Sequence, residues 1–191
     1  MKLSIQRIIL ICFAVMTVIT VAALPFSASA QQKQMRISDQ MKDSYYRNCL
    51  IHTDERMSAN THKVFCECTA HFMQENLTID DLAKTRHTDP VVIRQGKNAM
   101  VVGVYAPCME FPVRDLIYKR CVSNKFQVDA GICDCVADKM AHYTAQEAQN
   151  EIAKILQENP NIYDPMSPIV NSPSFEQKEK QVALDCIQNN Q

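Results

Sequence analysis

The sequence has no tryptophan, only three glycines in 191 residues, and no long run of charge of one sign. Strands joined by tight hairpins need glycine at positive φ and alternating β-branched residues, so the scarcity of glycine argues against a sheet. The phosphate-cradling Gly-rich loop, Gly-x-Ser-x-Gly and His-Glu-x-x-His strings are all missing, which removes the local signatures of several nucleotide-binding and hydrolytic classes. Cys-x-x-Cys and Cys-x-x-Cys-His are missing too, so neither a thioredoxin-like redox motif nor covalent haem is indicated. No catalytic residue and no cofactor is assigned.

Charge narrows the partners. Of the 20 basic residues, Lys2 and Arg7 lie within residues 1–30, which hold no acid; the other 18 face 21 acidic residues. A mildly acidic chain without a basic face is a poor match for phosphate backbones, so nucleic acid is not an expected partner. The expected partner is an unspecified protein or an apolar small molecule.

The N-terminus supplies a positive start, an apolar run from Ile8 to Leu24, and Ala28-Ser29-Ala30 before Gln31. Those three parts make a cleavable secretory signal over residues 1–30, which would remove Cys12 and leave no stable membrane span. The expected location is the periplasm or the extracellular space, where cysteines pair.

Eight cysteines remain, and their order repeats. Cys49, Cys66, Cys68 and Cys108 form a single, Cys-x-Cys, single quartet; Cys121, Cys133, Cys135 and Cys186 form another. Asp43, Tyr46 and Arg47 precede Cys49 by the offsets at which Asp115, Tyr118 and Lys119 precede Cys121. Cys66-Glu67-Cys68-Thr69-Ala70 and Met73 align without a gap on Cys133-Asp134-Cys135-Val136-Ala137 and Met140, and Thr78 to Asp81 matches Thr144 to Glu147. Three motifs in one order indicate duplication.

The sequence therefore predicts an all-α protein: two tandem four-helix, four-cysteine units, residues 31–111 and 112–191, packed as one disulfide-stapled domain. In the first unit, Ile37, Met41, Tyr45 and Cys49 fall on one helical stripe; in the second, a helix from Pro112 carries Val113, Ile117 and Cys121. The second helix of each unit carries the Cys-x-Cys, with Val64, Cys68 and Phe72 or Ile132, Val136, Met140 and Tyr143 as its stripe. A third helix is expected to start at Thr78 or Thr144, since Thr followed by an acid three residues on is a capping box. In the second unit it presents Ala148, Ile152, Ile155 and Leu156. The fourth opens at Asp89-Pro90 or near Ser172-Pro173 and ends close to Cys108 or Cys186. Residues 99–106 are β-branched enough for a strand, but a buried helix is preferred. The prolines between 159 and 174 predict an extended loop whose apolar Ile162, Tyr163, Met166, Ile169 and Val170 pack down.

Residues two apart on a helix point roughly 200° apart, so Cys66 and Cys68 should hold different neighbours, one on the first helix and one on the fourth; which takes which is open. Each Cys-x-Cys encloses an acid, Glu67 or Asp134, which raises rather than lowers a thiol pKa and disfavours redox catalysis. Metal binding by His62, Cys66, Cys68 and His71 lacks a compact ligand face and has no histidine counterpart in the second unit, so no metal ligand is assigned.

The preferred function is an exported, disulfide-stabilised helical binding or interaction protein without evident catalysis. A carrier of an apolar small molecule is the alternative, followed by a thiol–disulfide or metal-binding protein using the Cys-x-Cys pairs. Candidate partner-binding residues are Tyr163, Met166 and Ile169 in the Pro-rich loop, with the segment from Thr53 to His62 as a second surface.

Overall fold

A computed structural model of the chain describes residues 35–123 and 128–189; the expected signal peptide and Cys12 lie outside the described residues. The order is α1 (Asp39–Ile51), α2 (Ala59–Asn76), α3 (Ile79–Lys84), α4 (Pro90–Met100), a wide π turn (Val101–Tyr105), a 3-10 turn (Ala106–Cys108), α5 (Glu110–Val122), α6 (Ala130–Glu158), α7 (Met166–Val170) and α8 (Pro173–Asn189). All-α is therefore correct. Among the described residues the only extended pairing is one antiparallel bridge between Arg36 and Thr78, and no helix is long and apolar enough to cross a membrane.

Side-chain caps start the helices of the first half. Ser38 accepts from the Met41 N–H, Ser58 from Thr61 N–H and Asp89 from Val91 N–H ahead of Pro90. Ile37 precedes α1 rather than lying in it, but packs with Met73, Leu77 and Val104 in a small core. The expected stripe of α2 is the wrong face: Val64 is 42 % exposed, and the buried side is His62, Cys66, Thr69, Ala70 and Met73. Cys66 is the completely buried cysteine of the pair, so the inward face follows it rather than Cys68.

Leu77 ends α2 in an extended conformation (φ −115°, ψ 158°), and Thr78 opens α3 with the expected capping box, its Oγ1 accepting from Asp81 N–H while Asp81 accepts from Thr78 N–H. The bridge to Arg36 and the Ile79 N–H to Met35 carbonyl bond (3.0 Å) hold this break. Residues 99–106 are helical, as preferred, but not regularly so. Pro107 has no N–H to offer the Gly103 carbonyl one turn back, and Asn76 Nδ2 donates to that oxygen instead at 2.7 Å.

The second half departs from the first at the matching place. Thr144 is not a cap: it is buried inside the 29-residue α6, and its Oγ1 donates to the Met140 carbonyl at 2.8 Å. The second and third helices expected there are one, and the short α7 is an addition, so the second half does not repeat the first helix for helix. The expected face survives, because Val136, Met140, Ala148, Ile152 and Leu156 all bury along this single helix. Nor is the stretch 159–174 extended throughout. Asp164 Oδ1 accepts from Met166 N–H at 3.0 Å and starts α7, and Ser172 Oγ accepts from Phe175 N–H at the head of α8.

The main core gathers α5, α6, α7 and α8 around Ile117, Met140, Ile152 and Phe175, and also takes in Val101, Ala106 and Met109 from the end of the first half. One core thus spans both cysteine quartets.

Candidate functional site

All eight cysteines among the described residues are paired. Cys49 joins Cys66 and Cys68 joins Cys108; Cys121 joins Cys133 and Cys135 joins Cys186. The pairing left open by the sequence is thus the same in both halves: the first cysteine of each Cys-x-Cys reaches back to the preceding helix, and the second reaches forward. Cα–Cα distances of 5.5 to 5.9 Å suit disulfide geometry without backbone displacement. The Cys-x-Cys helix is clamped on two sides, and that clamp positions the surface described next.

The two surfaces expected separately, the Thr53–His62 segment and the Pro-rich loop, meet. Arg56 donates from Nε and Nη2 to the two oxygens of Asp54 and, through its third nitrogen, Nη1, to Asp164 at 2.6 Å across the two halves. Nearby, Asp115 accepts from Ser58 N–H at 2.6 Å, and Lys119 Nζ donates to the Arg56 carbonyl at 3.0 Å. The Arg56 side chain holds the Asp54 carboxyl below its ordinary value, and Asp54 and Asp164 raise Arg56 in turn. Partial burial pushes the Asp115 carboxyl up, but the Ser58 backbone N–H, the Thr61 and Ser58 side chains and Lys119 hold it below its ordinary value on balance.

Tyr163 stands at this junction, 47 % exposed. On one side lies an open cleft of about 350 Å³ between Leu82, Thr85, Lys97, Met100, Tyr105 and Tyr163. On the other, a cleft of about 190 Å³ runs past Arg56, Phe65 and Tyr105 to Asp164 and Met166. The Lys97 ammonium sits 4.2 Å from the Tyr163 ring centroid, a cation–π distance. Among the described residues, Lys97 makes no ion pair with a carboxylate.

Of the three candidate binding residues, only Tyr163 is therefore a surface group. Met166 and Ile169 are 4 % and 2 % exposed and belong to the main core, Met166 forming the floor of the smaller cleft. The proline-rich stretch folds both side chains inward on α7, so that Ile169 is enclosed in the core and Met166 meets only the smaller cleft. Sequence reasoning missed Arg56, Lys97 and Tyr105. Arg56 and Asp164 are 108 residues apart and leave no local signal, whereas the apolar and cationic face of α4 around Lys97 and Met100 is visible as helical spacing.

The quartet His62, Cys66, Cys68 and His71 is split. Cys68 is committed to Cys108, His71 is exposed beside Phe72, and His62 is buried with its Nε2 3.5 Å from Cys66 Sγ. The i, i+4 spacing of His62 and Cys66 is the signal that brings those two together. Comparison with family models, with curated proteins and with solved structures finds no match to this chain.

Proposed function

We infer that the chain is an exported, non-catalytic helical protein that binds a protein partner through the twin clefts at Tyr163. The observation that carries this is the placement of Tyr163: a half-exposed aromatic ring between two open clefts, with a cation on its face. Rigid aromatic groups flanked by grooves are favoured anchors in interfaces, because they bury large area at small entropic cost. Lys97 gives the larger cleft a positive edge, so the fitting partner segment carries an apolar or aromatic side chain next to a carboxylate. Four disulfides support an oxidising compartment, where such bridges persist.

A carrier of a lipid-like molecule is less well supported, since both clefts are surface grooves and the main core is filled by packed side chains. Native mass spectrometry of protein purified from its own host tests the reading. A co-purifying protein that is lost in Tyr163→Ala, with the thermal midpoint unchanged, is the expected result. A stoichiometric bound lipid, or a partner retained at full affinity by Tyr163→Ala and Lys97→Ala together, would reject it.

A further inference from the structure

Asp43, Tyr46 and Arg47 repeat as Asp115, Tyr118 and Lys119, but only the second set is engaged within the chain. On α5, Asp115 accepts from the Ser58 N–H at 2.6 Å, Lys119 Nζ donates to the Arg56 carbonyl at 3.0 Å, and Tyr118 packs against the main core. That set grips the start of α2 by an N–H and by the carbonyl shortly before it. On α1, Asp43, Tyr46 and Arg47 share one helical face at the same spacing. Asp43 and Arg47 are exposed, and Tyr46 packs in neither core cluster. Among the described residues, neither Asp43 nor Arg47 makes an ion pair. The flank beside each set differs in the same sense. Arg114 reaches from α5 to Asp138 at 2.6 Å and to Asp134 at 3.4 Å, spanning the furrow between α5 and α6. Lys42, which matches Arg114, turns instead to Asp39 on its own helix at 3.7 Å. An open cleft of about 780 Å³ is left between α1 and α2, lined by Tyr46, Val64 and Ala70 and edged by Asp43, Lys63 and His71.

We propose that this face of α1 is a second docking surface, and that it takes the exposed first turn of a helix in a partner protein. A helix start offers the two kinds of group that the matching set holds within the chain. Its unsatisfied N–H groups and positive dipole end suit the Asp43 carboxylate, and a carbonyl of the preceding turn suits the Arg47 guanidinium. Val64, 42 % exposed, and Tyr46 supply apolar area beneath it. A second copy of this chain does not fit. Its α2 start is already held by its own Asp115 and Lys119, and its α6 start opens with the Asp129 carboxylate, which would face Asp43 with like charge. The surface shares no lining residue with the Tyr163 clefts and stands or falls apart from them.

The test places the photo-crosslinking residue benzoylphenylalanine at Val64, in the full chain expressed at low level in its own host. The expected product is an adduct to another protein, with the linked residue, read by tandem mass spectrometry, in the first turn of a helix of that protein. Asp43→Asn lowers the yield about two- to fivefold, the contribution of a carboxylate at a helix N-terminus. Adding Arg47→Ala lowers it at least about tenfold in all, because a charge-assisted hydrogen bond is lost as well. Both variants keep the wild-type thermal midpoint, since the two side chains are exposed. Tyr163→Ala leaves the yield unchanged. No adduct, an adduct to another copy of this chain, a link outside a helix start, or a yield indifferent to the double variant overturns the proposal. A fall in Tyr163→Ala as large as in the double variant overturns it too, because the adduct would then belong to the Tyr163 clefts.

Discussion

The halves on either side of Met109 share one cysteine code and diverge at one helical break. In the first, the chain leaves α2 at Leu77 and restarts at Thr78; in the second, α6 runs unbroken through Thr144. Both places carry Thr with an acid three residues on. What differs is the neighbour. Beside Thr78 lies an extended segment, residues 35–36, that bridges to the break. The position matching Arg36 is Cys108, which is already in a helical turn and bound to Cys68. With no free strand to take up the backbone groups of a break, the helix keeps its own hydrogen bonds. The same local motif is thus a cap in one half and a helix interior in the other, while the disulfide pairing does not change.

Opening all four bridges puts the largest strain on this comparison, since it removes what the halves have in common. Chain entropy assigns about 3 kcal/mol to each short bridge, at separations of 17 and 12, and about 4 kcal/mol to each long one, at 40 and 51. Together these rival the whole net stability of an ordinary domain. The expected outcome is a collapsed or strongly loosened fold in reductant, followed by circular dichroism on heating. A thermal midpoint indifferent to reductant would show that packing alone holds the helices.

The helical class and the inequivalent grip of each Cys-x-Cys were legible from composition and spacing, because both rest on local geometry. The second-half face of Val136, Met140, Ile152 and Leu156 was legible for the same reason. The face of α2 was not: Val64 and Phe72 look apolar, yet burial follows Cys66, and the bridges to Cys49 and Cys108 together fix that rotation. Met166, Ile169 and Val170 pack down as the apolar content of the proline-rich stretch suggested, which takes Met166 and Ile169 out of reach as surface groups, whereas Tyr163, expected to pack with them, stays half-exposed. The cleft as a whole depends on Arg56 reaching Asp164, a contact no short window contains.

Within the first half, a tight approach at Gly96 sharpens the contrast. A Cβ there would stand 2.6 Å from the Thr85 backbone N and 2.9 Å from Lys84 carbon atoms, where α3 turns back against α4. Gly96→Ala gains helix propensity but forces backbone apart, and a net loss of about 1–3 kcal/mol is expected in denaturant unfolding. In the second half the matching connection, from α6 to α8, is the longer proline-rich stretch that carries α7, and no such tight turn is needed. Next comes the paired substitution of the two threonines. Thr78→Ala removes a capping box and should cost about 1 kcal/mol. Thr144→Ala removes a hydroxyl that bonds back within its own helix, so its cost should be smaller; equal losses would mean that the break is not what Thr78 supports.

The smallest effect concerns the paired acids of the repeated string, Asp43 and Asp115. Asp43 is exposed, whereas Asp115 accepts from the Ser58 N–H at the start of α2 and ties the halves together. A carboxylate at a helix N-terminus contributes about 0.3–1 kcal/mol, so Asp115→Asn should be measurably less stable near pH 7 and Asp43→Asn nearly neutral. Because the folded-state value of Asp115 lies below the ordinary 3.8, its contribution is present above 3.8 and disappears as pH falls through the depressed value. Thermal midpoints of wild type and Asp115→Asn should therefore converge as pH drops below 3.8. A gap that persists unchanged in acid would assign the difference to the geometry of the Ser58 cap rather than to the charge that Asp115 places there.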